Sequence, residues 1–201
     1  MNTPQAHLVD DDEAIRDALA WLFKSRGLPT AAYASAEDFL AAWTPATRGC
    51  VVLDMRMEGM SGLDCFDALL ARSASLPVIF LTGHGDVPLA VAALKRGAFD
   101  FFEKPFNDNA LATRVSEALA HDAQQHAAHA SADSIKHRVL QLTPREHQIM
   151  EGILAGKYNK VIADELNIST RTVEVHRANL FEKMQVKTAV ELANLLKSAP
   201  L

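Results

Sequence analysis

The chain has 201 residues, 49% hydrophobic and 22% charged, with a net charge of −5 and two cysteines, an ordinary globular composition whose length suits two moderate domains. No apolar run approaches the roughly 20 residues that span a bilayer, and the acidic start MNTPQAHLVDDDE lacks the basic and apolar regions of a signal peptide. Cys50 and Cys65 make neither a disulfide framework nor a metal-ligand spacing, so a reduced, cytoplasmic protein without a membrane partner is expected.

Five short apolar runs punctuate the first 105 residues: AHLVD (6–10), TAAYA (30–34), CVVLD (50–54), PVIFLT (77–82) and DFFEKP (100–105). Helix-like segments separate them. Ile15, Leu19, Leu22 and Phe23 recur at helical spacing before Gly27, a helix-ending residue. Phe39, Leu40 and Trp43 mark a second helix; Leu63, Phe66, Leu69 and Leu70 a third; Leu89, Val91, Ala92 and Leu94 a fourth, closed by Gly97. A fifth starts near Asn107 and runs through Leu111, Val115 and Leu119. Strands alternating with helices at this rhythm predict a doubly wound five-stranded parallel sheet, helices on both faces, over residues 1–120.

Residues 121–138 read as a linker, either loose or a solvated extension of the preceding helix, because alanine, glutamine and histidine dominate and large apolar residues nearly vanish. His126 and His129 share a helical face, but a zinc site normally takes four ligands. From 139 to 201 only helices are expected, a small all-α domain. Thr143-Pro144-Arg145-Glu146 joins an N-cap threonine, proline at the first helical position and glutamate three residues after the cap. Three further helices follow, Asn159 to Leu166, Ser169 to Met184 and Thr188 to Lys197.

In a doubly wound sheet, ligands bind at the carboxyl ends of the strands where strand order reverses. The residues leaving those ends are Asp10, Asp11, Asp12, Asp54, Thr82, Gly83 and Lys104. Converging carboxylates repel unless a cation lies among them, and a hard divalent ion, Mg²⁺, suits oxygen ligands. A carboxylate nucleophile, a lysine and a hydroxyl together suit a phosphoryl group. Helix N-capping accounts for Asp12 but not for Asp11, Asp54, Thr82 and Lys104 as a set. His84 is expected to be a solvated loop histidine.

Charge is unevenly spread. Residues 1–120 hold 10 Lys and Arg against 16 Asp and Glu, whereas residues 137–201 hold 9 against 7. The mildly basic half contains KVIADELNISTRTVEVHRANLFEKM, which has the form of a helix-turn-helix whose second helix would read a major groove. Val173, His176, Leu180 and Met184 form its inward side, with His176 expected as a core histidine. Arg171, Glu174, Val175 and Ala178 project where base edges would lie, and Asn159, Lys160, Thr170 and Arg177 are placed to reach phosphates.

The stretches VDDDEAIR, VVLDMRMEGMSGLD and VIFLTGHGDVPLAVAALKRGAFDFFEKPF resemble the receiver domain of two-component response regulators, closest to the FixJ subgroup. LTPREHQIMEGILAGKYNKVIADELNISTRTVEVHRANLFEKM resembles the LuxR/NarL class of DNA-binding domains. The first resemblance implies a flavodoxin-like fold in which Asp54 accepts phosphate from a sensor histidine kinase. Asp11, Asp54 and the backbone carbonyl of Arg56 would bind Mg²⁺, with Asp10 acting through water. Thr82 and Phe101 would be coupled switch residues, Lys104 would contact the phosphoryl group, and the Lys104–Pro105 bond would be cis. Glu58 departs from the usual proline of that loop. The second resemblance implies binding of double-stranded promoter DNA, with Ala189, Leu192 and Leu196 of the last helix helping to dimerise on it. Homodimerisation through the fourth helix, fifth strand and fifth helix would follow phosphorylation, and RNA polymerase is a candidate further partner.

Two alternatives compete with a phosphorylation-activated transcriptional regulator, which is not an enzyme in its own right. A magnesium-dependent phosphohydrolase with an aspartyl intermediate would need a second carboxylate two residues after the nucleophile, where Arg56 stands. An interaction module with a degenerate receiver is disfavoured by the intact Asp11, Asp54, Thr82 and Lys104.

Overall fold

The computed structural model describes residues 3–83 and 87–197; His84 lies outside them. The chain divides into two compact units, Met1–Gln125 and His126–Leu201.

The first unit holds β1 (Gln5–Val9), α1 (Glu13–Ser25), β2 (Thr30–Tyr33), α2 (Ala36–Ala42), β3 (Gly49–Asp54), α3 (Gly62–Ala71), β4 (Val78–Thr82), α4 (Val87–Lys95) and β5 (Asp100–Glu103). It also holds the first part of α5 (Asp108–Leu140). All strand pairs are parallel, in the order β2-β1-β3-β4-β5. Successive strands thus run outward from β1 in opposite directions, and β1 and β3 lie side by side at the reversal. This is the five-stranded, doubly wound arrangement expected from the sequence.

Strand alternation sends side chains to opposite faces, and the buried residues sort accordingly. Val51 and Leu53 of β3 join a core beneath α2, α3 and α4 with Phe39, Phe66 and Phe80. Cys50 and Val52 join the opposite core with Phe23, Leu111 and Val115 of α1 and α5. Each fully buried side chain of this size contributes roughly 1.5–3 kcal/mol. Asp12 caps α1, its carboxylate accepting from Ala14 N–H at 2.9 Å, and Gly27 closes the turn after that helix at φ +69°.

Packing of α4 differs from the sequence reading. Its buried residues include Ala90 and Ala93, while Leu89 and Val91 stand exposed. Small side chains face the sheet here, and the larger ones are left outside. Asp122, read as solvated, is buried. Its carboxylate takes an ion pair from Arg48 at 2.8 Å and the Gly49 N–H at 3.2 Å.

The second unit takes the last part of α5 with α6 (Pro144–Leu154), α7 (Asn159–Leu166), α8 (Thr170–Met184) and α9 (Ala189–Lys197). The capping box at Thr143 and Glu146 is formed in both directions. Ser169 caps α8 by accepting from Thr172 N–H at 3.0 Å, and Asn167 leaves α7 in the left-handed region at φ +52°. Ile149, Ile153, Ile162, Val173, Leu180 and Met184 share one core with Ile135 and Val139 of α5. His176, expected inside, is only half-buried. Of the three residues expected to pair on α9, Leu192 is withdrawn from the surface, while Ala189 and Leu196 stay half-buried. Leu192 is fully buried in the unit's own core, with Ala189 and Leu196 packed against it, and Val190 is the exposed apolar residue of that helix. The apolar stripe of a nine-residue helix is used within its own unit. No helix among the described residues is long and apolar enough to cross a membrane.

Candidate functional site

Because β1 and β3 are neighbours, the loops leaving their carboxyl ends open on the same crevice. One carboxylate oxygen from each of Asp10, Asp11 and Asp54 lies within 4.8 Å of the others. Asp10 is fully buried and Asp54 nearly so, whereas Asp11 is exposed. β5 brings Lys104 to the same place. Its ammonium lies 2.8 Å from Asp54 Oδ1 and 2.9 Å from Asp10 Oδ2, so one lysine bridges two aspartates. Asp10 Oδ1 also accepts the Asp12 N–H at 2.9 Å. The Lys104–Pro105 bond is cis, as the resemblance implied.

Electrostatics here are set by burial and by charge pairing in competition. Burial pushes the Asp54 carboxyl above its ordinary 3.8, opposed by the Lys104 ammonium, with Asp10 and Asp11 adding to the rise. Burial also works against the Lys104 charge, but hydrogen bonds and attraction from Asp54 and Asp10 outweigh it, and its pKa is raised from 10.5. Lysine is almost never buried without such partners.

Other expected residues surround this group. Thr82 is fully buried and its hydroxyl donates to the Phe102 carbonyl at 3.4 Å, a long contact. Phe101 and Phe102 are half-buried on opposite faces of β5, Phe101 against the α2–α4 side and Phe102 against the α1–α5 side. Arg56 is exposed on the loop after β3. Glu58, also exposed, donates its backbone N–H to Asp11 Oδ2 at 2.8 Å. Gly62 begins α3 so close to Asp54 that a Cβ there would meet the Asp54 carbonyl oxygen at 2.1 Å, which excludes any larger residue. The acidic donor set is all oxygen and fits a hard cation such as Mg²⁺.

In the second unit, the expected DNA-facing residues fall on one side. Arg171, Glu174, Val175 and Ala178 of α8 are exposed, with Arg171 and Glu174 paired at 3.4 Å. Lys160 and Thr170 are exposed beside them. Arg177 and Asn159 are half-buried and bonded to each other at 3.0 Å, and the Arg177 guanidinium also lies over the Phe181 ring. A groove of about 670 Å³ runs past Lys157, Tyr158, Asn159, Lys160, Thr170 and Arg177. Tyr158 was not singled out in the sequence, yet its side chain is 82% exposed at the start of α7.

Two families match the chain: the response regulator receiver domain over residues 6–116 and the bacterial regulatory proteins of the luxR family over residues 140–196. The chain is 46% identical to the transcriptional regulatory protein FixJ of Azorhizobium caulinodans, covering 94% of this chain and 90% of that protein. It is 48% identical to the C4-dicarboxylate transport transcriptional regulatory protein DctR of Rhodobacter capsulatus, covering 94% and 97%. Among solved structures, the response regulator StyR superposes with a TM-score of 0.90 at 38% identity over 98% of this chain and 99% of that one. Full-length FixJ from B. japonicum gives 0.61 at 42% identity over 98% of each. With Asp54 and Lys104 joined at the sheet's switch point and a helix-turn-helix unit later in the chain, the chain belongs to the response regulators, a FixJ-like receiver domain followed by a LuxR-family DNA-binding domain.

Proposed function

We propose that Asp54 accepts a phosphoryl group from a sensor histidine kinase and that this acceptance switches the binding of promoter DNA by the second unit. The observation that carries the reading is the contact of Lys104 with both Asp54 and Asp10 beside Asp11. A carboxylate oxygen of Asp54 attacks phosphorus while the bond to the donor's imidazole nitrogen breaks. The bonding pair returns to that nitrogen, which takes up a proton. Asp11, Asp54 and the Arg56 carbonyl, with Asp10 through water, would hold Mg²⁺, which neutralises the phosphoryl oxygens when bound. Lys104 supplies a fixed positive charge at the same oxygens, and Asp10 keeps that ammonium in place once Asp54 is an acyl phosphate.

The Thr82 hydroxyl gives up its long contact to the Phe102 carbonyl and turns toward a phosphoryl oxygen. Phe101 then moves inward and changes the surface of α4, β5 and α5, through which two receivers pair. Leu89 and Val91, exposed on α4, are the apolar groups such pairing would cover. A phosphoryl group shifts this equilibrium only by the extent to which it favours the paired state. On DNA, Arg171, Glu174, Val175 and Ala178 face bases, Lys160 and Thr170 face phosphates, and Asn159 and Arg177 brace each other at that edge. Contact with RNA polymerase belongs to the same proposal. The test is labelling by acetyl phosphate with Mg²⁺ in wild type and Asp54→Asn, with DNA binding and sedimentation followed with and without beryllofluoride. Labelling of the variant, or DNA binding indifferent to beryllofluoride, rejects the reading.

A further inference from the structure

The loop between β3 and α3, residues 55–61, carries Arg56 next to Asp54. Its ends are held by backbone: Met55 N–H donates to the Leu81 carbonyl at 2.9 Å and Gly62 N–H to the Met55 carbonyl at 3.1 Å. Its middle lies in neither ladder. There, two amides two residues apart donate to carboxylates brought by other elements. Glu58 N–H reaches Asp11 Oδ2 at 2.8 Å, and Met60 N–H reaches Glu37 Oε1 at 2.9 Å. Gly59, between them, has φ +80°, and a Cβ there would meet the same Glu37 Oε1 at 2.9 Å. Glu37 is therefore seated against the loop. It projects from the first turn of α2, a helix anchored in the core by Ala36, Phe39 and Leu40. Hydrogen bonds to an ionised acceptor are roughly twice as strong as neutral ones, so two of them are a substantial restraint on seven residues.

We propose that Glu37 is a positioning group for the cation and phosphoryl site. It stitches the loop bearing Arg56 to α2, so the oxygen ligands are arranged before a cation arrives. Glu37 does not touch the phosphoryl group; it acts through the loop. The inference rests on the phosphoacceptor reading above, and deepens it by naming what holds the site open in the resting protein.

Full-length protein is compared as wild type, Glu37→Ala and Glu37→Gln, with circular dichroism confirming the fold. Mg²⁺ binding is measured by calorimetry, and amide hydrogen exchange at Met60 is measured without metal. Glu37→Ala should speed exchange at Met60 by about 10- to 100-fold, as loss of a hydrogen bond to an ionised acceptor would, and weaken Mg²⁺ binding. Glu37→Gln keeps an oxygen acceptor and should recover most of the loss. Wild-type affinity and exchange in Glu37→Ala would overturn the proposal. So would equal losses in Glu37→Ala and Glu37→Gln, which would assign the effect to charge alone. The exchange measurement needs neither metal nor phosphate, so a failure of Asp54 as acceptor, seen by labelling, is separable from a failure of the stitch.

Discussion

Lys104 and Asp54 meet at 2.8 Å although their strands are not neighbours: β4 lies between β3 and β5 in the sheet. The long lysine stem spans that gap and lays its ammonium among carboxylates, where the same group also holds Asp10 at 2.9 Å. One side chain from the sheet edge thereby closes a site opened by two central strands. Lys104→Ala should retain its fold, since the stem is partly exposed, but lose the dimerisation driven by beryllofluoride. Sedimentation with and without the mimic checks this, and an undiminished response would return Lys104 to the status of a strand-end charge.

Asp54 is held at a thermodynamic disadvantage. Its folded pKa lies above the ordinary 3.8, so the folded state binds its proton more tightly than the unfolded chain does. The ionised form then costs stability above the folded pKa, and the cost fades as pH falls toward and below 3.8. Asp54→Asn should accordingly raise the melting temperature at pH 7. Thermal unfolding of both proteins between pH 3 and pH 7 tests the sign: the advantage of the variant should shrink on acidification.

Glu146 behaves in the opposite sense. Burial alone would raise its pKa, but Lys183 at 2.7 Å and the Thr143 donors of the capping box bring it below 4.5. Its contribution is present above 4.5 and is lost as pH falls through the lowered value. Glu146→Ala leaves the Thr143 amide without its acceptor and Lys183 without its partner, and should cost the second unit about 2 kcal/mol near neutral pH. Urea unfolding at pH 7 and again at pH 3.5 should show the gap between variant and wild type narrowing in acid.

Tyr158 stands at the N-cap of α7 without any side-chain cap hydrogen bond. Serine at that position would accept from an amide of the first turn, so Tyr158→Ser should stabilise the second unit by about 0.5–1 kcal/mol. The tyrosine also borders the groove beside Lys160 and Thr170. If it contributes to the DNA face, the same variant will be more stable and bind DNA less well, a split that unfolding and DNA titration at fixed salt would resolve.

The local order of this protein was written in its sequence. Apolar runs of five or six residues placed the five strands, helical spacing with caps at Asp12 and Thr143 placed the helices, and the strand-end residues identified Asp10, Asp11, Asp54, Thr82 and Lys104 as a group. Those signals survive without the fold because backbone propensity, capping and side-chain period act over a few residues. What the fold decided lies across long separations. Glu37 reaching Met60, Asp11 reaching the Glu58 amide and Asp122 seated on Arg48 and Gly49 are through-space pairs with no local signature. Which neighbour covers an apolar stripe was likewise a tertiary matter. Periodicity marks a face on α4 and another on α9, but only packing turned Leu89 and Val91 outward and Leu192 inward. A stripe states that something must cover it; the identity of the cover depends on which surfaces remain once the sheet and the helical core have closed.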